Sequence, residues 1–351
     1  MHLRPDHTVR DLPTLHAFIK QHPLGVLNTS LPSENHPTLQ CSHIPWVLDT
    51  EKTAGPESAK KAKVADDDTT EQPHYMGVLR GHIARQNPQS KAMVECVSEY
   101  STKTISLPGA FPITSSEEEP PRSADHALPG EVLIVFTSPV DHYITPNFYT
   151  ESKPATGRVA PTWNYAAVQV YGRATIYHDA KDEQTELFLR QQLSDLARLG
   201  EEEIMGFRNE TGSISGSAVK HGGSGSGTGN GENGDWDPPR NQTLSQYEGP
   251  DLELSQGVKT APTGASGHGN GSALATPWKI GDAPREYIAA LLKNIVGMKI
   301  EITRIEGRFK VSQERPVNDR GGVVAGLERK GGRARDMAEF VRRGKHFVAS
   351  E

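Results

Sequence analysis

Apolar residues follow two spacings along this chain, and three long stretches follow neither. Leu12, Leu15, Phe18 and Ile19 lie at helical spacing within residues 11–21, and His22-Pro23 ends that helix. Residues 24–29 predict a strand, polar residues 31–38 a hairpin connection, and residues 39–48 the partner strand. Pro45 inside the partner points to an edge or a bulge. Residues 76–85 predict a further strand, Asn87-Pro88 a turn, and residues 93–97 the start of another strand. Residues 131–137 form a continuous apolar run, the pattern of a buried strand. A loop over residues 138–159, turned by Pro139, Pro146 and Pro154, leads to a strand over residues 166–177. Leu187, Leu189, Leu193 and Leu196 mark a helix over residues 182–199, and Ile288, Leu291, Leu292 and Ile295 one over residues 285–296. Alternation at Ile300, Ile302 and Ile305 makes residues 297–306 a half-buried strand, and residues 321–343 predict one or two short helices.

The patternless stretches are residues 50–74, 101–129 and 209–276, read as disordered insertions. The last holds 15 of the chain's 34 glycines, and its Gly/Ser/Asn tract buries too little surface to fold. They explain why a 351-residue chain is only 34% hydrophobic. Without them roughly 230 residues remain, one domain of ordinary size, so residues 1–351 form a single domain. Five successive strands without an intervening helix argue against a doubly wound sheet. The expected class is mainly β with peripheral helices (α+β), built on a closed barrel.

Two cysteines, Cys41 and Cys96, offer neither a disulfide framework nor metal-ligand spacing, which points to an intracellular compartment, cytoplasm or nucleus. The first residues have no apolar core of a secretory signal, and no stretch has the apolar length to span a bilayer. Fourteen scattered histidines form no tight cluster, so no metal is expected. No nucleophile elbow, HExxH helix or phosphate-binding GxxxxGK loop is present, and catalytic residues stay unassigned. Net charge is −6, yet residues 304–346 carry 12 Lys/Arg against 6 Asp/Glu. A basic helical tail over residues 304–351 either tracks DNA phosphates or is simply a solvated charged face.

Candidate chemistry gathers in three places. Residues 81–88 bring the planar fork of Arg85, the switchable donor His82 and the amide of Asn87 close to Gly81 and Ala84, a set suited to phosphate. Thr29, Ser42 and His43 lie on facing strands of the first hairpin and offer hydrogen bonds to a polar ligand edge. Trp163, Asn164 and Tyr165 form an aromatic and polar cluster at the mouth of a strand. For each group the plainer reading is structural: exposed strand residues, a satisfied histidine, or a corner plug.

Six stretches in this order resemble the PaiB family of FMN-binding split-barrel regulators: Pro23-Leu24-Gly25-Val26-Leu27-Asn28-Thr29, Ser42-His43-Ile44-Pro45 with Leu48-Asp49, Gly81-His82-Ile83-Ala84-Arg85-Gln86-Asn87-Pro88, Val159-Ala160-Pro161-Thr162-Trp163-Asn164-Tyr165, Ile295-Val296-Gly297-Met298-Lys299-Ile300-Glu301-Ile302 and Lys310-Val311-Ser312-Gln313. The resemblance implies an FMN-binding split β-barrel related to pyridoxamine-phosphate oxidases, and a homodimer with FMN between two barrels. It further implies that Arg85 and its neighbours serve the phosphate, that Trp163 walls the flavin across the interface, and that the chain is a negative transcriptional regulator. The alternatives are a flavin-dependent oxidoreductase and a cofactor-free interaction protein.

Overall fold

The computed structural model describes residues 1–51, 75–105, 126–208 and 276–344. Strand β1 (Thr8–Val9) leads into helix α1 (Leu12–Gln21), whose N-cap Asp11 accepts from the Thr14 amide at 3.0 Å. Strands β2 (Leu24–Ser30) and β3 (Leu39–Pro45) form the expected hairpin, in register from Leu24 opposite Pro45 to Ser30 opposite Leu39. After Trp46 the chain continues as β4 (Val47–Asp49), which pairs with β5 (Val78–Ala84). The remaining strands are β6 (Ala127–Thr137), β7 (His142–Ile144), β8 (Thr162–Tyr177) and β9 (Ile295–Lys310).

Every pairing is antiparallel, and the strand order is β3-β2-β6-β8-β9-β5-β4, with β1 added to β9 and β7 to β8. The two ends of that order, β3 and β4, are halves of one strand bent at Trp46. The sheet therefore closes on itself as a barrel of six staves. Alternation sends Gly25, Leu27 and Thr29 inward from β2 and Leu79, Gly81 and Ile83 inward from β5. The inward set joins Ile44, Ile134, Phe136, Val168, Val170 and Ile300 in one core, and Leu15, Phe18 and Ile19 of α1 pack into the same core. The expected α+β split barrel is thus the observed class.

Residues 93–97 are not a strand. They lie in α2 (Pro88–Ile105), where Ala92, Met93 and Val97 are buried on one helical face. Asn87 caps this helix and Pro88 opens it, a start signal that outweighs the short β-like run. A helix therefore separates β5 from β6, contrary to the expected helix-free run. The supposed insertion over 101–129 is also narrower: residues 101–105 continue α2, and β6 begins at Ala127. Residues 52–74, 106–125, 209–275 and 345–351 lie outside the described residues, and with them most of the predicted insertions.

Helices α4 (Glu183–Arg198) and α5 (Arg285–Asn294) pack together through Leu189, Ile288 and Leu292. The expected helix at 285–296 stops at Asn294, because Ile295 is already extended and begins β9. Residues 304–310 belong to β9, so the C-terminal basic stretch opens as a barrel stave and becomes helical only at α6 (Val317–Lys330) and α7 (Arg333–Arg343). Gly331 and Gly332, both at positive φ (73° and 55°), turn the chain between those helices. The predicted loop over 138–159 contains β7, a 3-10 turn at Pro146–Phe148 and a short helix, α3 (Ser152–Thr156). Its Ile144 and Tyr149 form a satellite core with Val323, Leu327, Met337 and Val341 of α6 and α7. Among the described residues, no helix is long and apolar enough to cross a membrane.

Candidate functional site at the seam of the barrel

Barrel closure leaves a seam. Beyond Arg80, β5 pairs with β9 on one side only, and β3 pairs only with β2. At Gly81 the two halves approach so closely that a Cβ would lie 2.9 Å from the Trp46 ring and 3.2 Å from Ile44. Glycine at this position is a packing requirement. Where ladder hydrogen bonds are missing, the first turn of α2 supplies them. Asn87 Nδ2 donates to Ser42 Oγ at 3.1 Å, and its Oδ1 accepts from the Gln89 amide at 2.9 Å. Gln89, buried at 1% exposure, donates through Nε2 to the Leu27 carbonyl (3.2 Å), Thr29 Oγ1 (3.0 Å) and the Gln40 carbonyl (3.2 Å).

The structure thus brings Thr29, Ser42 and Asn87 into one hydrogen-bonded network, as proposed ligands of one site would require. Sequence reading missed the residue at its centre, Gln89, because the motif was followed only as far as Pro88. The glutamine two residues after a capping asparagine was the available signal. Gln89 Oε1 and Ser90 Oγ are buried without a partner, so two polar atoms in this turn have unmet hydrogen-bonding capacity. No acidic side chain stands in the first turn of α2, and Lys91 there is exposed. A helix N-terminus with its positive dipole, no acidic side chain and an exposed lysine favours an anion.

Other predicted residues sit elsewhere. The Arg85 fork is occupied by the main chain: Nε donates to the Lys293 carbonyl at 2.9 Å, and Nη2 to the carbonyls of His178 (2.8 Å) and Ile295 (3.1 Å). Its amide donates to the Asn294 carbonyl at 2.8 Å. Arg85 ties the end of α5 to the end of β8. His82 points away from the barrel interior, on the same face of β5 as Arg80, which binds Asp195 of α4 at 2.8 Å. Its register partner Gly297 abuts Phe188 and Leu189 of α4. Burial pushes the His82 imidazole below its ordinary pKa, and its Nδ1 has no partner. Ala84 is exposed at the end of β5, and His43 is exposed on the outer face of β3.

Trp163, Asn164 and Tyr165 form a second group at the start of β8. Asn164 is fully buried, and its Nδ2 donates to Ser312 Oγ at 2.9 Å; Ser312 sits at φ 61°. Trp163 is 50% exposed, with Nε1 donating to Asp141 at 3.0 Å and its ring edge-on to Tyr143 at 6.1 Å. It does not plug a corner of its own barrel. Tyr165 faces outward beneath the Arg308 guanidinium, 5.8 Å from its ring. No hydrogen bond among the described residues joins this group to the seam.

Residues 1–211 match the family described as "Putative FMN-binding domain". The chain belongs to this FMN-binding domain family. It is 37% identical over 331 residues to an uncharacterized protein of Aspergillus fumigatus and 33% identical over 331 residues to one of Emericella nidulans. Each alignment covers 94% of this chain and 92% of the relative. Among solved structures, the flavocytochrome Anf3 of Azotobacter vinelandii superposes with a TM-score of 0.32 at 9% identity, covering 88% of this chain and 72% of that one. A "putative 5-nitroimidazole antibiotic resistance protein" of Bacteroides thetaiotaomicron gives a TM-score of 0.30 at 6% identity, covering 86% and 84%.

FMN is the cofactor of this family, and one part of the molecule fits it well. The N-terminus of α2 brings together the donors Asn87 Nδ2, the unpartnered Ser90 hydroxyl and the Lys91 ammonium, the kind of group a phosphate monoester needs. The guanidinium of Arg85 and the ring of His82, one committed to carbonyls and the other to the α4 side of the sheet, do not belong to that donor set.

Proposed function

We propose that the protein is a homodimeric FMN flavoprotein in which the N-terminus of α2, with Asn87, Ser42 and Lys91, holds the cofactor phosphate. The observation that carries this is the start of α2 at the barrel seam, where no acidic side chain stands in the first turn, the Ser90 hydroxyl has no partner and Lys91 is exposed. When bound, FMN supplies reversible electron transfer, and the chain binds, orients and shields it. Exposed Trp163 and Tyr143 form an aromatic surface suited to the flavin held by a second copy, which supports the interfacial role that the PaiB resemblance implies for Trp163. The outer face of β2, β6 and β8 supports a dimer too. Val26 lies opposite Val135 and Leu133 opposite Tyr171, all half-buried.

A redox flavoprotein stands ahead of a transcriptional regulator. Four of the twelve cations of the C-terminal stretch are held in ion pairs among the described residues: Arg304 with Glu306, Arg315 with Glu314, Arg342 with Glu328 and Glu339, and Arg343 with Glu339. The purified protein is expected to be yellow or to take up one FMN per chain. Lys91→Glu should weaken FMN about tenfold or more, the effect of reversing a charge at a phosphate. Trp163→Ala should weaken it while leaving the melting temperature in place. A colourless protein that ignores added FMN overturns the reading. Bleaching by a reduced nicotinamide supports the redox role, whereas salt-sensitive DNA retention without bleaching favours the regulator.

A further inference from the structure

A second concave surface lies on the opposite side of β5 from the seam, where α4 stands over β4, β5 and β9. It is an open cleft of about 1620 Å³, larger than most small-molecule pockets. Its apolar wall is aromatic: Tyr177 stacks on Phe188 with ring centroids 3.9 Å apart and planes within 5°. Leu187, 68% exposed, extends that wall toward solvent.

The polar wall is acidic. Arg80 donates to both oxygens of Asp49 (2.5 and 2.8 Å) and also reaches Asp195 at 2.8 Å, so one cation answers two carboxylates. Lys299 pairs with Glu301 at 2.8 Å, one to one. Glu51 makes no ion pair among the described residues. Four acids (Asp49, Asp195, Glu301, Glu51) against two bases (Arg80, Lys299) leave the wall two negative charges in excess. Burial pushes the pKa of the Tyr177 phenol up, Lys299 pulls it back, and Glu301 and Asp182 add smaller upward shifts.

We infer that this cleft is a binding site for an organic cation with a flat, apolar body. Aromatic faces attract a cation through the ring quadrupole, and the partly buried carboxylates of Asp49 and Asp195 add an attraction that solvent screens less than that of the exposed Glu51 and Glu301. An anion such as a flavin phosphate meets the wrong sign here, which separates this site from the one proposed for FMN.

The test is calorimetric titration of the full chain with 10-methylacridinium and, at a pH where it is uncharged, with acridine of the same shape. The expected result is saturable one-to-one binding of the cation, at least tenfold tighter than acridine. Leu187→Lys places a positive charge on the exposed wall without touching the core. It should weaken the cation at least tenfold while leaving FMN uptake and the melting temperature unchanged. Equal affinity for the two compounds, no saturable binding, insensitivity to Leu187→Lys, or displacement of the cation by FMN would each overturn the inference.

Discussion

Arg85→Ala separates a structural arginine from a phosphate ligand. The side chain donates three hydrogen bonds to main-chain carbonyls, two of them at the end of α5 and one just after β8. The last carbonyls of a helix have no partner within it, and a cation there also answers the helix dipole. A charged donor contributes about 1.5–3 kcal/mol per bond when shielded and less in solvent. The bond to Lys293 is exposed and the other two are partly buried. A loss of about 2–4 kcal/mol follows, or a fall in melting temperature of roughly 4–16 °C for a domain this size. Urea denaturation should show a lower midpoint at unchanged slope, while FMN affinity, measured well below the transition, stays within about threefold. The converse, unchanged stability with FMN affinity down a hundredfold, would refute the structural role and return Arg85 to the phosphate.

Two further substitutions probe the frame. At Gly172, where the β8–β9 register shifts, an added Cβ would lie 2.5 Å from the Glu301 carbonyl oxygen and 2.6 Å from Ile300, so Gly172→Ala should cost about 1–3 kcal/mol in a thermal melt. Fully buried Asp319 accepts from the amides of Glu151 (2.8 Å) and Ser152 (3.2 Å) and from the Ser152 hydroxyl. Burial raises its pKa, but the Ser152 hydroxyl, these amides and nearby Arg315 together hold it below the ordinary carboxyl value. Its stabilising contribution is therefore complete above the unfolded value of about 3.9 and is lost as pH falls through the lower folded value. Acid unfolding of Asp319→Asn should be shallower than that of the parent across that window.

Much of the barrel was legible from period-two alternation, because β2, β5 and β9 each bury one face and expose the other. α1 and α4 were legible from their stripes and from the capping aspartates Asp11 and Asp182, which accept from Thr14 and Thr185. The mistake at residues 93–97 has a physical origin. Met93 and Val97 satisfy a helical repeat and a short strand equally well, and only the start signal at Asn87-Pro88 decides between them. The candidate site was half legible. Thr29, Ser42 and Asn87 could be grouped by motif order, but what Arg85 and His82 touch depends on α4 and α5, which lie about 100 to 200 residues further on. Which face of β5 is covered cannot be read from β5 itself.

The bend at Trp46 fixes more than connectivity. By letting one strand serve both ends of the sheet, it sets the circumference at six staves, and a barrel of about eight is the smallest with room for a small ligand inside. Here Leu27, Ile134, Phe136, Val168 and Ile300 already occupy the axis. A flavin has to ride on the outside of such a cylinder with one face left open. In the proposed dimer, covering that face is a matter of assembly rather than of folding, and cofactor retention should then depend on protein concentration in a way that the stability of the barrel does not.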